Sequence, residues 1–319
     1  MPRVRPRGGR RCAGADNFVV HATTVVWGRP GHMDLSAMLL AATLDLSPSG
    51  PGLHFVDVGQ GSALLVIGPE GHAVMIDSGP PGAAEAVVHA LDEHALLRVD
   101  LWIHTHLDAD HIGGVARVIA GSDGVAGSAD DIEVEVFWDR GLDGAPTTDA
   151  VAAYEEVAGD RRRQATAGDR WEVPGLIVGL VDTGAPEIAA ENARGLALCL
   201  EVGGLKVLVP GDLPAAQAAV AAAACGRVDL LWAAHHGGAD GTSEALLAAA
   251  DPALVIVSAG RDNPYCHPAA VTMARLWGHT VWMTGLAGAG PLGVRPSLAT
   301  SFAAEHRVVP GDSWFPAGG

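Results

Sequence analysis

Residues 106–111 hold two imidazoles and two carboxylates, in the order His106-x-Asp108-x-Asp110-His111. Imidazole nitrogen and carboxylate oxygen are the ligand atoms of zinc, manganese and iron sites. An H-x-H-x-D series could also begin at His104, but Ala109 stands where its closing His would be. The later register is complete. His104 is then left at the end of the preceding strand, as a buried or supporting residue rather than a ligand. The bland reading of the stretch is a solvated turn, and its setting argues against that. An apolar run at 99–103 precedes it, and Gly113-Gly114 with a helical-looking 115–119 follows. A polar loop at the carboxyl end of a buried strand is where open α/β sheets place their sites.

Two further strand ends carry the same kind of residue. A strand at 206–209 runs into Pro210-Gly211-Asp212-Leu213, and one at 229–233 runs into His235-His236-Gly237-Gly238. Strand ends of one architecture can meet at one rim. Two cations roughly 3.5–4 Å apart there could hold a hydroxide and clamp the oxygens of a phosphoryl or carbonyl group. Asp212, with two oxygens, is the candidate bridge.

The elements that must position these loops are legible from periodicity. Short apolar strands at 53–58, 63–67 and 73–77, joined by Gly-containing turns, predict an antiparallel meander. A helix over 83–97 follows, with Val87, Val88, Leu91 and Ala95 at helical spacing. A half-exposed strand at 133–138 leads to a polar helix over 149–165, whose end carries Arg161-Arg162-Arg163 as a solvated cluster. The second half reads as strands at 176–181, 196–200, 206–209, 229–233, 254–258 and 280–283, with helices at 214–224 and 243–250. The loop 260–268 carries Asn263, Tyr265, Cys266 and His267, with Cys266 expected to be buried and uninvolved. The domain organisation expected is a basic leader at 1–50, a catalytic-type domain at 51–290 and a Gly/Pro-rich tail at 291–319. Met33 is an alternative start.

Composition bounds the function. The chain has 319 residues, 49% of them apolar, so it can bury a full core. No stretch reaches the ~20 apolar residues of a membrane span. The formal charge is −17, although the first eleven residues carry five Arg and no acid. Such a body repels polyanions at long range, so a nucleic acid would have to be gripped locally, through metal ions and a few Arg. The basic leader could instead tether the chain to DNA or an anionic membrane. Cys12, Cys199, Cys225 and Cys266 are scattered, which predicts reduced thiols and a cytoplasmic setting. No continuous apolar run follows the basic start, so a secretory signal is not expected.

Asp57-Val58-Gly59-Gln60-Gly61, Asp77-Ser78-Gly79, the 106–114 loop, Gly211-Asp212, His235-His236-Gly237 and Asn263-x-Tyr265-x-His267-Pro268 appear in that order. Together they resemble the metallo-β-lactamase superfamily, and within it the soluble hydrolase-like domain of ComEC competence proteins, over about residues 51–285. The resemblance implies an αββα sandwich, two mixed sheets flanked by helices, with two divalent ions (zinc, manganese or iron) at one edge. His106 and Asp108 would serve one ion, Asp110 and His111 the other, and Asp212 both. His236 resembles the last ligand and His235 its support, though the pair could be exchanged. Asp108 replaces the His of many members, and the harder oxygen favours manganese or iron over zinc. The superfamily's further His is missing from 191–195, where Asn192 stands as a supporting residue and Gly195 replaces a Ser. Asp57 and Asp77 would orient ligand histidines.

The activity so implied is hydrolysis by a metal-bound hydroxide, with Asp110 orienting or deprotonating the water and His267 donating a proton to the leaving group. A phosphodiesterase or nuclease acting on nucleic acid or a small phosphodiester leads. A lactone or thioester hydrolase and a non-catalytic regulatory module that keeps the fold are the alternatives.

Overall fold

Sixteen strands form the frame of this computed structural model, which describes residues 52–184, 190–261 and 263–286 together with three short strands at 25–26, 44–45 and 292–296. In chain order they are β1 (Val25–Val26), β2 (Leu44–Asp45), β3 (Gly52–Phe55), β4 (Leu64–Ile67), β5 (Ala73–Ile76), β6 (Arg98–Ile103), β7 (Glu133–Asp139) and β8 (Arg162–Gln164). The rest are β9 (Arg170–Val173), β10 (Leu176–Val181), β11 (Ala197–Val202), β12 (Leu205–Val209), β13 (Leu230–Trp232), β14 (Leu254–Val257), β15 (Thr280–Met283) and β16 (Leu292–Pro296). One sheet has the order β2-β16-β3-β4-β5-β6-β7-β8, the other β1-β15-β14-β13-β12-β11-β10-β9. Both are mixed. β5 to β8 run parallel in the first, and β12 to β15 in the second.

Alternation along each strand builds the layers. In β4, Leu64 and Val66 enter the core between the sheets, while Leu65 and Ile67 face outward under helices. In β5, Val74 and Ile76 point in and Ala73 and Met75 point out. Both faces are covered, which is why these strands read as continuous apolar runs rather than alternating ones. Helices α1 (Ala84–Glu93), α2 (Ala109–Ile112), α3 (Val115–Ile119) and α4 (Asp149–Ala158) cover the first sheet. Helices α5 (Ala215–Cys225), α6 (Glu244–Ala250) and α7 (Ala270–Arg275) cover the second. The fold is the expected αββα sandwich. Two helix starts carry ordinary side-chain caps: Thr148 Oγ1 accepts from the Val151 N–H, and Ser243 Oγ from the Leu246 N–H.

Hydrogen bonds to backbone carbonyls stitch the two sheets together at their carboxyl rim. The Leu196 N–H donates to the Thr105 carbonyl at 2.7 Å, and the Ser258 hydroxyl to the Gly61 carbonyl at 2.8 Å. Gly114 is needed where helix α3 starts, because a Cβ there would run into the Ser78 carbonyl.

Three expectations are corrected. The helix predicted over 149–165 ends at Ala158, and Arg162–Gln164 form edge strand β8 beside β7. Arg162 is drawn half-buried onto the sheet, while Arg161 and Arg163 stay exposed to solvent as expected. Arg162 pairs with buried Asp139, Arg161 lies 5.5 Å over the Phe137 ring and Arg163 4.9 Å over Trp138. Second, the cysteines among the described residues are not reduced thiols. Cys199 of β11 and Cys225 at the end of α5 form a disulfide, and Cys266 is also disulfide-bonded. The cysteine argument for a cytoplasmic setting therefore falls. Third, Cys266 is exposed rather than buried. The expectations for the leader at 1–50 and the tail at 291–319 lie outside the described residues, apart from β1, β2 and β16. Among the described residues no helix is long and apolar enough to cross a membrane.

Candidate metal centre

Asp77 ends β5 with a left-handed backbone, φ 59°. This turns its carboxylate back beneath the loop after β6. Asp77 Oδ2 lies 2.7 Å from His111 Nδ1, and its two oxygens accept from the Thr105 N–H at 2.8 Å and the Thr105 hydroxyl at 2.8 Å. Thr105 Oγ1 is in turn 3.2 Å from His106 Nδ1. One buried carboxylate and one hydroxyl thus orient two imidazoles. His236, also left-handed at φ 53°, donates from Nδ1 to the Ser258 carbonyl at 3.1 Å. Left-handed backbone at non-glycine residues costs of order 1 kcal/mol or more each and concentrates at functional sites.

With each Nδ1 so engaged, the Nε2 atoms face one another. His111 Nε2 and His236 Nε2 are 3.2 Å apart. Each is 3.3 Å from an oxygen of Asp212, and His236 Nε2 is 3.3 Å from Asp110 Oδ2. One ligand atom from each of Asp110, His111, Asp212 and His236 lies within 4.8 Å of the others. His106 Nε2 is buried, has no hydrogen-bond partner, and stands 3.9 Å from Asp212 Oδ2 and 3.6 Å from Asp108 Oδ2.

This arrangement fits a cation. Nδ1 donation to Asp77, to the Ser258 carbonyl and to Thr105 leaves lone pairs on all three Nε2 atoms, and lone pairs 3.2 Å apart repel unless something positive lies between them. In the absence of a metal, protons supply the positive charge. Burial opposes charge on His236, but Asp212 and Asp110 outweigh it and raise its pKa to about 9. Burial likewise opposes charge on Asp110, and the hydrogen bond from His236 with the charge of His111 brings it down to about 2. His111 is raised and Asp212 lowered by each other, against burial in both cases.

The sequence matches the Metallo-beta-lactamase superfamily over residues 56–261. The chain belongs to that superfamily. Its curated relatives include Recombination protein 2 of Haemophilus influenzae, 27% identical over 226 residues, and ComE operon protein 3 of Bacillus subtilis, 26% identical over 248. These alignments cover 69% and 72% of this chain but only 26% and 31% of the relatives, so the chain spans under a third of their length. Among solved structures, the metallo-beta-lactamase fold protein YhfI from Bacillus subtilis is 12% identical with a TM-score of 0.47, covering 73% of this chain and 96% of that one. Zn(2+)-bound PqqB from Methylobacterium extorquens is 18% identical with a TM-score of 0.45, covering 70% and 85%.

Around this metallo-β-lactamase cluster the other expected residues fall at graded distances. Asp108 is near His106 but 42% exposed. His235 holds Asp240 through Nδ1 at 2.9 Å and reaches Asp212 through Nε2 at 3.7 Å, so it flanks the cluster that His236 enters. His104 is fully buried against Phe137 and Tyr154, with neither ring nitrogen hydrogen-bonded. Asp57 accepts from the Gly59 N–H at 3.1 Å and holds a turn; among the described residues it bonds to no histidine. His267 lies at the rim, its ring 5.4 Å from that of His235, with Nδ1 3.4 Å from Gln60 Nε2.

Residues 191–195, where the resemblance led to the expectation of a missing His ligand, are occupied by Glu191-Asn192-Ala193-Arg194-Gly195. Glu191 Oε1 accepts from the Leu107 N–H at 2.8 Å, inside the ligand loop, and from Arg140 Nε at 2.7 Å. Asn192 opens a single helical turn whose carbonyl caps Gly195, and a Cβ at Gly195 would lie 3.7 Å from the His106 Cβ. Sequence reasoning missed Glu191, Arg140 and Thr105. The only available signal was a hydroxyl wedged between His104 and His106.

Proposed function

We propose that this protein hydrolyses phosphodiesters, with nucleic acid as the first substrate class, at a centre of two divalent ions. The superfamily fold and the four-residue cluster support a metal-dependent hydrolase. The observation that carries the reading is the convergence of three Nε2 lone pairs and Asp110 on Asp212. Asp110, His111, Asp212 and His236 would hold one ion, and His106, Asp108 and Asp212 the other, with manganese or zinc as the metal. Bound there, such ions acidify a water and draw charge from a phosphoryl oxygen. The name of one relative, Recombination protein 2, favours DNA over other esters.

The chain's own residues supply the rest. Asp110 is held ionised and partly open to solvent, so it orients the attacking water by accepting its hydrogen bond. Burial, then the nearby His235 and His236, lower the pKa of His267. With Gln60 donating to Nδ1, neutral His267 carries its hydrogen on Nε2 and steadies the leaving oxygen as a hydrogen-bond donor, while solvent supplies the proton.

Metal-stripped protein given Mn²⁺ or Zn²⁺ should cleave single-stranded DNA and bis-p-nitrophenyl phosphate, and Asp110→Asn should be inactive. Turnover of a lactone with neither phosphodiester cleaved would replace the reading. A non-catalytic module is the second reading, favoured by the commitment of Glu191 to Arg140 and Leu107 where another ligand would stand. Fewer than one bound ion per chain, with no activity on any ester, would select it.

A further inference from the structure

Tyr265 is 65% exposed on the loop that carries His267. The loop is firmly tied. Asn263 Nδ2 donates to the carbonyls of Gly260 at 2.7 Å and His267 at 2.6 Å. Asn263 Oδ1 accepts from the N–H groups of Tyr265 at 3.1 Å and His267 at 3.0 Å. A loop so braced could have tucked its aromatic ring away, yet it presents it to solvent.

The ring also has a direction. Its centroid is 5.8 Å from that of His267, tilted by 31°, and the His267 ring lies 6.3 Å from His236 at 26°. From His236 through His267 to Tyr265 the rings are neighbours in turn, and their exposure rises from the buried cluster to Tyr265. A base attached to a phosphodiester seated at the cluster would have this exposed ring beside the site to lie on. On a chain of net charge −17, long-range attraction gives a polyanion little help. A neutral stacking surface is the contact that suits it.

We infer that Tyr265 is a stacking platform for an unpaired nucleobase and makes the site selective for single-stranded over duplex substrate. The inference rests on the phosphodiesterase reading above. Every base has a face that an aromatic ring can cover, and such stacks are sequence-tolerant. In a duplex those faces are taken up by neighbouring bases, which must be unstacked first.

The test is fluorescence anisotropy with Mn²⁺ and two cleavage-resistant phosphorothioate octamers, one of thymidines and one of abasic spacers. Tyr265→Ala should weaken thymidine-octamer binding roughly 5- to 100-fold, the range stacking supplies per base. Tyr265→Phe should bind like the unmodified protein, and the abasic octamer should not distinguish the three. Steady-state cleavage of single-stranded DNA should show KM raised by Tyr265→Ala with kcat unchanged. Equal thymidine binding by Tyr265→Ala, or an equal loss on the abasic octamer, overturns the platform while leaving a DNA-cleaving enzyme intact. If the unmodified protein neither binds nor cleaves DNA, the phosphodiesterase reading and the platform fall together.

Discussion

Asp77 Oδ2 sits 2.7 Å from His111 Nδ1, and both side chains are completely buried. That bond fixes which imidazole nitrogen of His111 is free. It also ties the end of β5 to the loop after β6. Asp77→Asn suits the left-handed backbone at this position, since Asn tolerates it as well as Asp does. It removes the charge that makes His111 a stronger ligand. Metal affinity should fall about 10- to 100-fold, as for other partners of ligating histidines. Titration calorimetry with Mn²⁺ on metal-stripped protein reads this directly, and an unchanged affinity would mean that Asp77 only shapes the turn.

Glu191 makes a separable prediction. Its carboxylate neutralises Arg140, whose side chain is 2% exposed, and receives the Leu107 N–H. Glu191→Gln keeps an acceptor for Leu107 but leaves a buried guanidinium without its counter-charge, a loss of about 3 kcal/mol or more. Glu191→Ala loses both. Mn²⁺ affinity should decline in the order Glu, Gln, Ala, because the ligand loop is progressively released. Denaturant melts of the metal-free proteins give the stability term separately. Equal metal affinity across the series would show that the loop holds itself.

Much of this was legible in the residues. The apolar run before His106 and the Gly pair after His111 placed the loop at a strand's carboxyl end, and the structure puts it there. Asp212 and His236 also lie at strand ends whose apolar runs announced them. What could not be read is contact between distant, chemically ordinary residues. Glu191 and Leu107 are 84 positions apart, and Glu191 and Arg140 are 51 apart. The Arg161-Arg162-Arg163 segment misled for a related reason. Helical periodicity says nothing of the buried Asp139 waiting on β7, and that partner decides the backbone. The cysteines misled because spacing alone does not reveal that α5 folds back across β11.

The pH dependence of metal-free stability follows in part from buried His236 and His104 and half-buried Asp110. His236 is raised to about 9 in the folded protein, so its contribution is complete below about 6.5 and is lost as pH rises through 9. His104 moves the other way. Burial holds it near 4, so it penalises folding increasingly as pH falls from about 6.5 towards 4. Asp110, depressed to about 2, contributes above about 3.8 and is lost as pH falls through 2. Each histidine term amounts to about 3 kcal/mol. Thermal melts in chelator should therefore peak near pH 6.5 and decline on both sides. Added Mn²⁺ should remove the alkaline decline, because a cation then stands where His236 needs a proton. A Tm that climbs steadily to pH 9 in chelator would contradict this account of the cluster.

The Cys199–Cys225 bond joins β11 to the end of α5, enclosing the strand β12 that delivers Asp212. The two cysteines are 26 positions apart, and closing a loop of that size in the unfolded chain stabilises the fold by about 3 kcal/mol. For a domain of this size the Tm should fall by roughly 5–10 °C when the bond is lost. Cys199→Ser/Cys225→Ser should melt lower than the unmodified protein and be insensitive to reductant at this pair. Reductant should bring the unmodified protein down to the same range. Mass spectrometry of peptides alkylated before reduction identifies the bond itself. Both peptides recovered alkylated from the oxidised protein would show free thiols and remove this strut. The bond lies on the outer face of the second sheet, so Mn²⁺ affinity in the double variant should stay within a few-fold of normal while stability drops. A matching collapse of affinity would mean instead that the position of Asp212 depends on α5 being strapped down.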